Sequence, residues 1–275
     1  ETVITPSRVH NINNTGEDMK YLMFDFEHGS QSIGSRDHVE KTLGLPLLTP
    51  STWDQFQEVI AGLYTQETVQ SDVKIGSLVV KQSENKITLR NGSMIDGVIL
   101  DTFSELSKKY MRTLTDKSGK MKLNEWGRLK NKLDTCLEFI TRLPGIVVCT
   151  CHSKTMTLDD GTTKINPYID GSTKEDISKW FDFVFYTKTV VDATTRKRSY
   201  LWVTKRTERY DHAKDRTDLL PDEIEQNFQL VINAAIEKNF DGVKVLIVGA
   251  PGSGKTRSLL TLNKENSNGQ NNDNQ

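Results

Sequence analysis

Apolar residues fall along this chain in short runs separated by polar stretches, and the runs read as buried strands. Tyr21 to Phe26 (YLMFDF) is the first and leads into Glu27, His28, Gly29 and Ser30. Gly97 to Leu100 (GVIL), closed by Asp101, is a second, and Ile146 to Cys151 (IVVCTC) a third. Val243 to Val248 (VKVLIV) comes last and runs into a glycine-rich loop. Between these runs the spacing becomes helical. Phe56, Val59, Ile60 and Leu63 share a face of a helix predicted over Thr52 to Tyr64, with Ser51 as its N-cap. Leu129, Leu133, Leu137, Ile140 and Leu143 line one face of a longer helix over Asn124 to Leu143, ended by Pro144-Gly145. Phe183 to Thr189 and Ser199 to Thr204, parted by the turn-like Asp192 to Arg198, predict an antiparallel hairpin. Strands alternating with helices predict an α/β fold: a mostly parallel sheet flanked by helices on both faces, extended by that hairpin.

Length and composition narrow this further. The 275 residues, 35% hydrophobic and 27% charged, are enough for one large domain. Residues 19–262 are assigned to it. Residues 1–18 and 263–275 are too polar to bury much apolar area, and both are expected to be flexible. No apolar run approaches the ~20 residues of a membrane span. Cys136, Cys149 and Cys151 do not form a disulfide framework, so a cytoplasmic setting is expected. A formal net charge of −1 gives no global pull on nucleic acid.

The strongest chemical signal is Gly249-Ala250-Pro251-Gly252-Ser253-Gly254-Lys255-Thr256, which fits G-x-x-x-x-G-K-[ST]. Its glycines let backbone N–H groups turn towards phosphate oxygens, and a helix-capable stretch from Arg257 to Leu262 follows. ATP and Mg²⁺ are the expected ligands, with Lys255 on the β- and γ-phosphates and the Thr256 hydroxyl on the metal. Asp101, ending its strand, is the expected partner for the metal's water shell. Glu27 is the expected base that orients the attacking water, with Asp25 expected to point away from it. Cys149-Thr150-Cys151-His152 is not read as a metal site, because Thr150 separates the thiols and no second ligand cluster is present.

Taken together, these segments resemble the RecA-type P-loop ATPases, and most closely the single-domain RecA-core ATPases encoded by phages. The resemblance rests on GAPGSGKT, LMFDFEHGS, GVILDTFSEL and VVCTCHSK, with Tyr168-Ile169-Asp170-Gly171 and VTKRTER behind them, and covers Tyr21 to Leu262. It implies an ATPase of DNA recombination, replication or repair, with Glu27 as catalytic glutamate and Asp101 as the metal-ordering aspartate. It implies His152 as a polar sensor of the γ-phosphate, where recombinases often carry glutamine. Lys205 and Arg206 fall where the family has cations that reach a neighbouring subunit's ATP, so self-association with ATP between subunits is expected. In that family the phosphate-loop strand comes first; here it comes last, and a circular permutation is inferred, with the original ends joined near Glu237 to Gly242. The rival is a swap in which that strand completes a neighbour.

Two segments are locally basic, Lys108 to Lys132 and Arg196 to Arg216. With the polar stretch Ser153 to Glu175 they offer Lys117, Lys120, Lys122, Lys154 and Lys164 for a phosphate backbone and Tyr168 as a stacking face. Single-stranded DNA is therefore the expected partner, with an annealing protein as a further one. An ATP-driven switch that engages proteins and no DNA is the alternative.

Overall fold

The computed structural model describes residues 19–90 and 95–263. The flexible segment expected over 1–18 lies outside the described residues, as does the polar tail beyond Asn263. One large sheet dominates, in the order β1 (Tyr21–Asp25), β4 (Gly97–Asp101), β5 (Ile146–Thr157), β11 (Val243–Gly249), β7 (Phe183–Val191), β8 (Arg198–Val203) and β10 (Glu223–Glu225). The first five strands pair in parallel, and β8 pairs antiparallel with both β7 and β10. Short β9 (Lys214–Asp215) pairs with β7. A separate two-stranded ribbon joins β2 (Tyr64–Ile75) to β3 (Leu78–Leu89) in continuous antiparallel register.

Helices cover both faces. Alternation along β11 decides which side chain goes where: Leu246 and Val248 enter one core, Val243, Val245 and Ile247 the other. The first core is closed by α2 (Trp53–Leu63), α3 (Phe103–Leu114) and α4 (Leu123–Thr141), whose Leu129, Leu133, Leu137 and Ile140 are buried at the expected helical spacing. The second is closed by α1 (Arg36–Leu43) and α6 (Phe228–Glu237), after the single turn α5 (Thr173–Asp176).

Several local expectations change. The α2 cap is Thr52, not Ser51: Thr52 accepts from the Gln55 N–H at 3.2 Å and the Gln55 side chain reaches back, a reciprocal capping box. The stretch after Cys151 is not a loop, because β5 runs on to Thr157 and turns back as β6 (Thr163–Pro167). The helix after the phosphate loop is only α7 (Lys255–Ser258), continued as a 3₁₀ turn over Leu259–Leu262. At the edge of the described chain, Asn263 Oδ1 accepts from Met19 N at 3.1 Å and its Nδ2 donates to Met19 O at 2.9 Å.

Candidate nucleotide and metal site

The parallel strands deliver their C-terminal ends to one edge of the sheet, and the motif residues gather there. β11 ends at Gly249 and the loop Ala250 to Gly254 turns into α7. Gly252 and Gly254 adopt φ of 73° and 93°, a backbone that other residues resist. At Gly254 a Cβ would also lie 2.4 Å from Gln226 Oε1. Gln226 braces the loop, donating from Nε2 to Ser253 O at 3.0 Å and to Leu201 O at 3.2 Å. No motif in the sequence marks Gln226, since its role depends on contacts across the fold.

Lys255 is buried at the start of α7, and its Nζ donates to Gly249 O and Ala250 O, both at 3.0 Å. Burial holds its pKa below the usual lysine value, opposed by the charges of Asp101 and Glu27. Arg257 is exposed one residue beyond Thr256.

Thr256 and Asp101 meet directly: Thr256 Oγ1 donates to Asp101 Oδ2 at 2.8 Å. Thr150 donates to the other carboxylate oxygen. Burial first, then the charges of Asp25 and Glu27, raise the Asp101 carboxyl to about 6, against the two hydroxyl donors. At neutral pH a buried anion is thus held beside a hydroxyl. A divalent cation with oxygen ligands suits that pair.

Glu27 lies just past β1, half-exposed, with Oε2 2.8 Å from His152 Nε2. Burial raises its pKa, but the His152 hydrogen bond and charge, the Thr102 hydroxyl and the Lys255 charge outweigh this and hold it below the ordinary value. Glu27 is therefore a carboxylate across the neutral range, as a water-orienting base requires. His152 itself is fixed from the backbone, its N–H donating to Ser104 Oγ at 2.9 Å. Glu105 stands nearby, and Glu27, Glu105 and His152 bring ligand-type atoms within 4.8 Å of one another. Glu105 is also paired with Lys108 at 2.6 Å.

Asp25 does not point away. It is two residues from Glu27 and so shares its side of the chain; the expectation that the two alternate miscounted the period. Fully buried, it accepts from the N–H groups of Glu27 (3.3 Å), Gly29 (3.0 Å) and Ser30 (3.0 Å), folding the segment after β1 towards α7. A Cβ on Gly29 would meet Thr256 Oγ1 at 3.2 Å and Asp101 Oδ2 at 3.3 Å, so glycine is what lets this segment approach the carboxylate.

The cations of the β8 end behave differently from each other. Lys205 is engaged within the chain by Asp215 at 3.4 Å and by Asp218. Arg206 is exposed. Cys149 and Cys151, two residues apart, are buried on the same face of β5 in the first core, with Cys151 against Ser104, and burial pushes Cys151 up to about 11 and Cys149 well above its usual value. Both are neutral thiols and poor metal ligands.

A strand, a phosphate loop, a metal-suited Thr–Asp pair and a glutamate held by a histidine at one sheet edge define a P-loop nucleotide-binding fold. Residues 14–217 match the family model described as AAA domain, which is more than half of the chain, and the protein belongs to that family. The matched span ends before the phosphate loop begins. No curated protein and no solved structure matches the chain. Among the described residues no helix is long and apolar enough to cross a membrane.

Asp101→Asn separates site chemistry from stability. An acid whose folded pKa is raised contributes stability that is complete below its unfolded pKa and lost as pH rises through the folded value. For a rise from 3.8 to about 6, the loss is at most about 3 kcal/mol. The neutral asparagine escapes it. In metal-free buffer at pH 7.5, Asp101→Asn is expected to resist urea better than the parent, the gap closing near pH 4. Equal stability at both pH values would contradict the buried-anion account.

Proposed function

We propose that the protein is a Mg²⁺-dependent ATPase of the RecA type that couples ATP binding and hydrolysis to single-stranded DNA. Its place would be in phage or bacterial DNA recombination, replication or repair. Lys255 and the loop amides Gly249 to Thr256 bind the triphosphate, with Arg257 at the rim. Thr256 and Asp101 hold the metal, whose charge neutralises phosphate oxygens as the γ-phosphoryl departs. Glu27 orients the attacking water and takes its proton, and His152 positions Glu27.

One observation carries the DNA half. Tyr168 lies under two cations, Lys108 Nζ at 5.1 Å and Lys154 Nζ at 5.7 Å from the ring centre. Its own N–H donates to His152 O at 2.7 Å, and His152 reaches Glu27 at 2.8 Å. An aromatic flanked by ammonium groups suits a base and its phosphates. The same residue touches the backbone of the group that holds the base, so occupancy at Tyr168 biases the hydrolytic end. Lys117, Lys120 and Lys122 extend the cationic surface from an exposed loop, whereas Lys164 is taken up by Asp211 at 3.0 Å. Self-association would bring a neighbour's Arg206 to the γ-phosphate; Lys205, already paired, is the weaker candidate.

A circular permutation accounts for the strand order. Three features support it: β11 lies between β5 and β7 of its own chain, Asn263 is hydrogen-bonded to Met19, and the family match stops short of the phosphate loop. The same-chain placement of β11 makes the neighbour-completing swap unnecessary.

The test is the ATPase rate with and without single-stranded DNA at low and high salt. Stimulation on the order of 10-fold is expected, the scale of a coupling of about 1–3 kcal/mol, and it should weaken as salt rises. A rate indifferent to DNA at every salt concentration would remove the DNA half and favour a protein-directed switch.

A further inference from the structure

The β2–β3 ribbon leaves the body of the domain at Tyr64 and Leu89, and its far-end residues Ile75 and Leu78 are exposed. Its strands are 12 residues each, a reach of about 40 Å at about 3.3 Å per residue. The register pairs Ile75 with Leu78, Val73 with Val80 and Val69 with Glu84, so these side chains share one face. The other face is mostly polar, with Lys74 paired to Val79, Asp72 to Lys81 and Gln70 to Ser83. The apolar face is in water: Ile75 is 64% exposed and Leu78 60%. A lone two-stranded ribbon is at best marginally stable, and an apolar patch at its tip marks a contact with something else.

The same chain carries a receptor of matching chemistry. Between α2 and α4 lies a cavity of about 490 Å³ lined by Trp53, Phe56, Ile60, Phe139 and Ile140. Its rim is cationic: Arg90 donates to Ala61 O at 3.2 Å and Lys132 lies 6.0 Å over Trp53, and neither is in an ion pair among the described residues. The ribbon cannot fill this cavity in its own chain. Tyr64, Thr65 and Gln66 line it, so it is at the ribbon's base, and unbroken pairing holds the tip a ribbon's length away.

We propose that the β2–β3 ribbon is an assembly arm whose apolar tip enters the α2–α4 cavity of a second copy of this chain. Ile75 and Leu78 fill the pocket, Val73 and Val80 cover its mouth, and Glu84, on the same face two pairs further on, approaches the Arg90–Lys132 rim. Each copy gives one arm and receives one, a condition met by reciprocal exchange between two copies or by head-to-tail contacts that build rings or open chains. The contact uses no residue of the phosphate site and stands whether or not the protein hydrolyses ATP.

The test reads mass in solution by light scattering. Tip variant Ile75→Asp/Leu78→Asp changes only exposed positions, and Ala61→Arg places a long charged side chain at the mouth of the cavity from an exposed helix position. The parent is expected to assemble, and each variant alone to run as a 31.2 kDa monomer. Mixed, they should form a one-to-one pair and stop there, because one sound arm then meets one sound cavity. Should Ala61→Arg fail to fold, Gln57→Arg on the same rim replaces it. A monomeric parent, a tip variant that keeps the parent's mass, or a mixture that stays monomeric would each overturn the proposal; the second would assign the arm to a partner of another class.

Discussion

Replacing Lys255 with alanine is expected to abolish measurable ATP binding while leaving the protein folded. The side chain is buried, yet among the described residues its ammonium hydrogen-bonds to the carbonyls of Gly249 and Ala250 and is in no ion pair, and its pKa is depressed by burial. Folding therefore gains little from this charge, and its removal costs little. The triphosphate gains a great deal from it. Truncating one member of a desolvated charge pair costs about 3–5 kcal/mol, a loss of ~10²–10⁴-fold in affinity. Calorimetric titration with Mg-ATP measures this directly. A melting curve gives a second reading, since ATP at 100 times its Kd stabilises the parent by about 2.7 kcal/mol and should not move Lys255→Ala. Unchanged affinity in the variant would remove the phosphate loop from the account.

Glu27→Gln tests the other end of the site. Glutamine keeps the shape and can still meet His152, but it accepts no proton from water. ATP affinity should stay within a few-fold of the parent while turnover falls by ~10²–10⁴-fold, the usual contribution of a positioned base. Because the His152 and Thr102 hydrogen bonds hold the Glu27 carboxyl below its ordinary value, the parent's rate should be flat across neutral pH and fall only under acid conditions. Single-turnover measurements across pH distinguish loss of chemistry from slow product release. Undiminished turnover in Glu27→Gln would reassign the base, with Glu105 the next carboxylate within reach.

The residues assigned to phosphate, metal and water are legible from sequence because each follows a continuous apolar run, the mark of a strand buried on both faces. Glu27, Asp101, His152 and Lys255 all follow such runs, and the parallel sheet brings those ends together. The place of Asp25 differs from expectation because residues two apart share a side of an extended chain. Gln226 carries no local signal; it becomes part of the site only when β10 and the phosphate loop are folded side by side. The β2–β3 ribbon was hidden for another reason. From Thr65 to Ile75 its positions are mostly polar, and a strand that faces solvent on both sides lacks the alternation that a half-buried strand shows. The β5–β6 extension beyond Cys151 escaped notice in the same way, since Ser153 to Thr157 are polar or exposed.

The placement of β11 has a consequence for how the molecule is made. It is the central strand, paired on one side with β5 and on the other with β7, yet both flanking strands leave the ribosome well before it. Until it arrives, two inner edges with unpaired amides face each other across a gap one strand wide, a state prone to pairing with foreign chains. Threading this late strand between two waiting edges is expected to be slower than adding a strand at an outer edge.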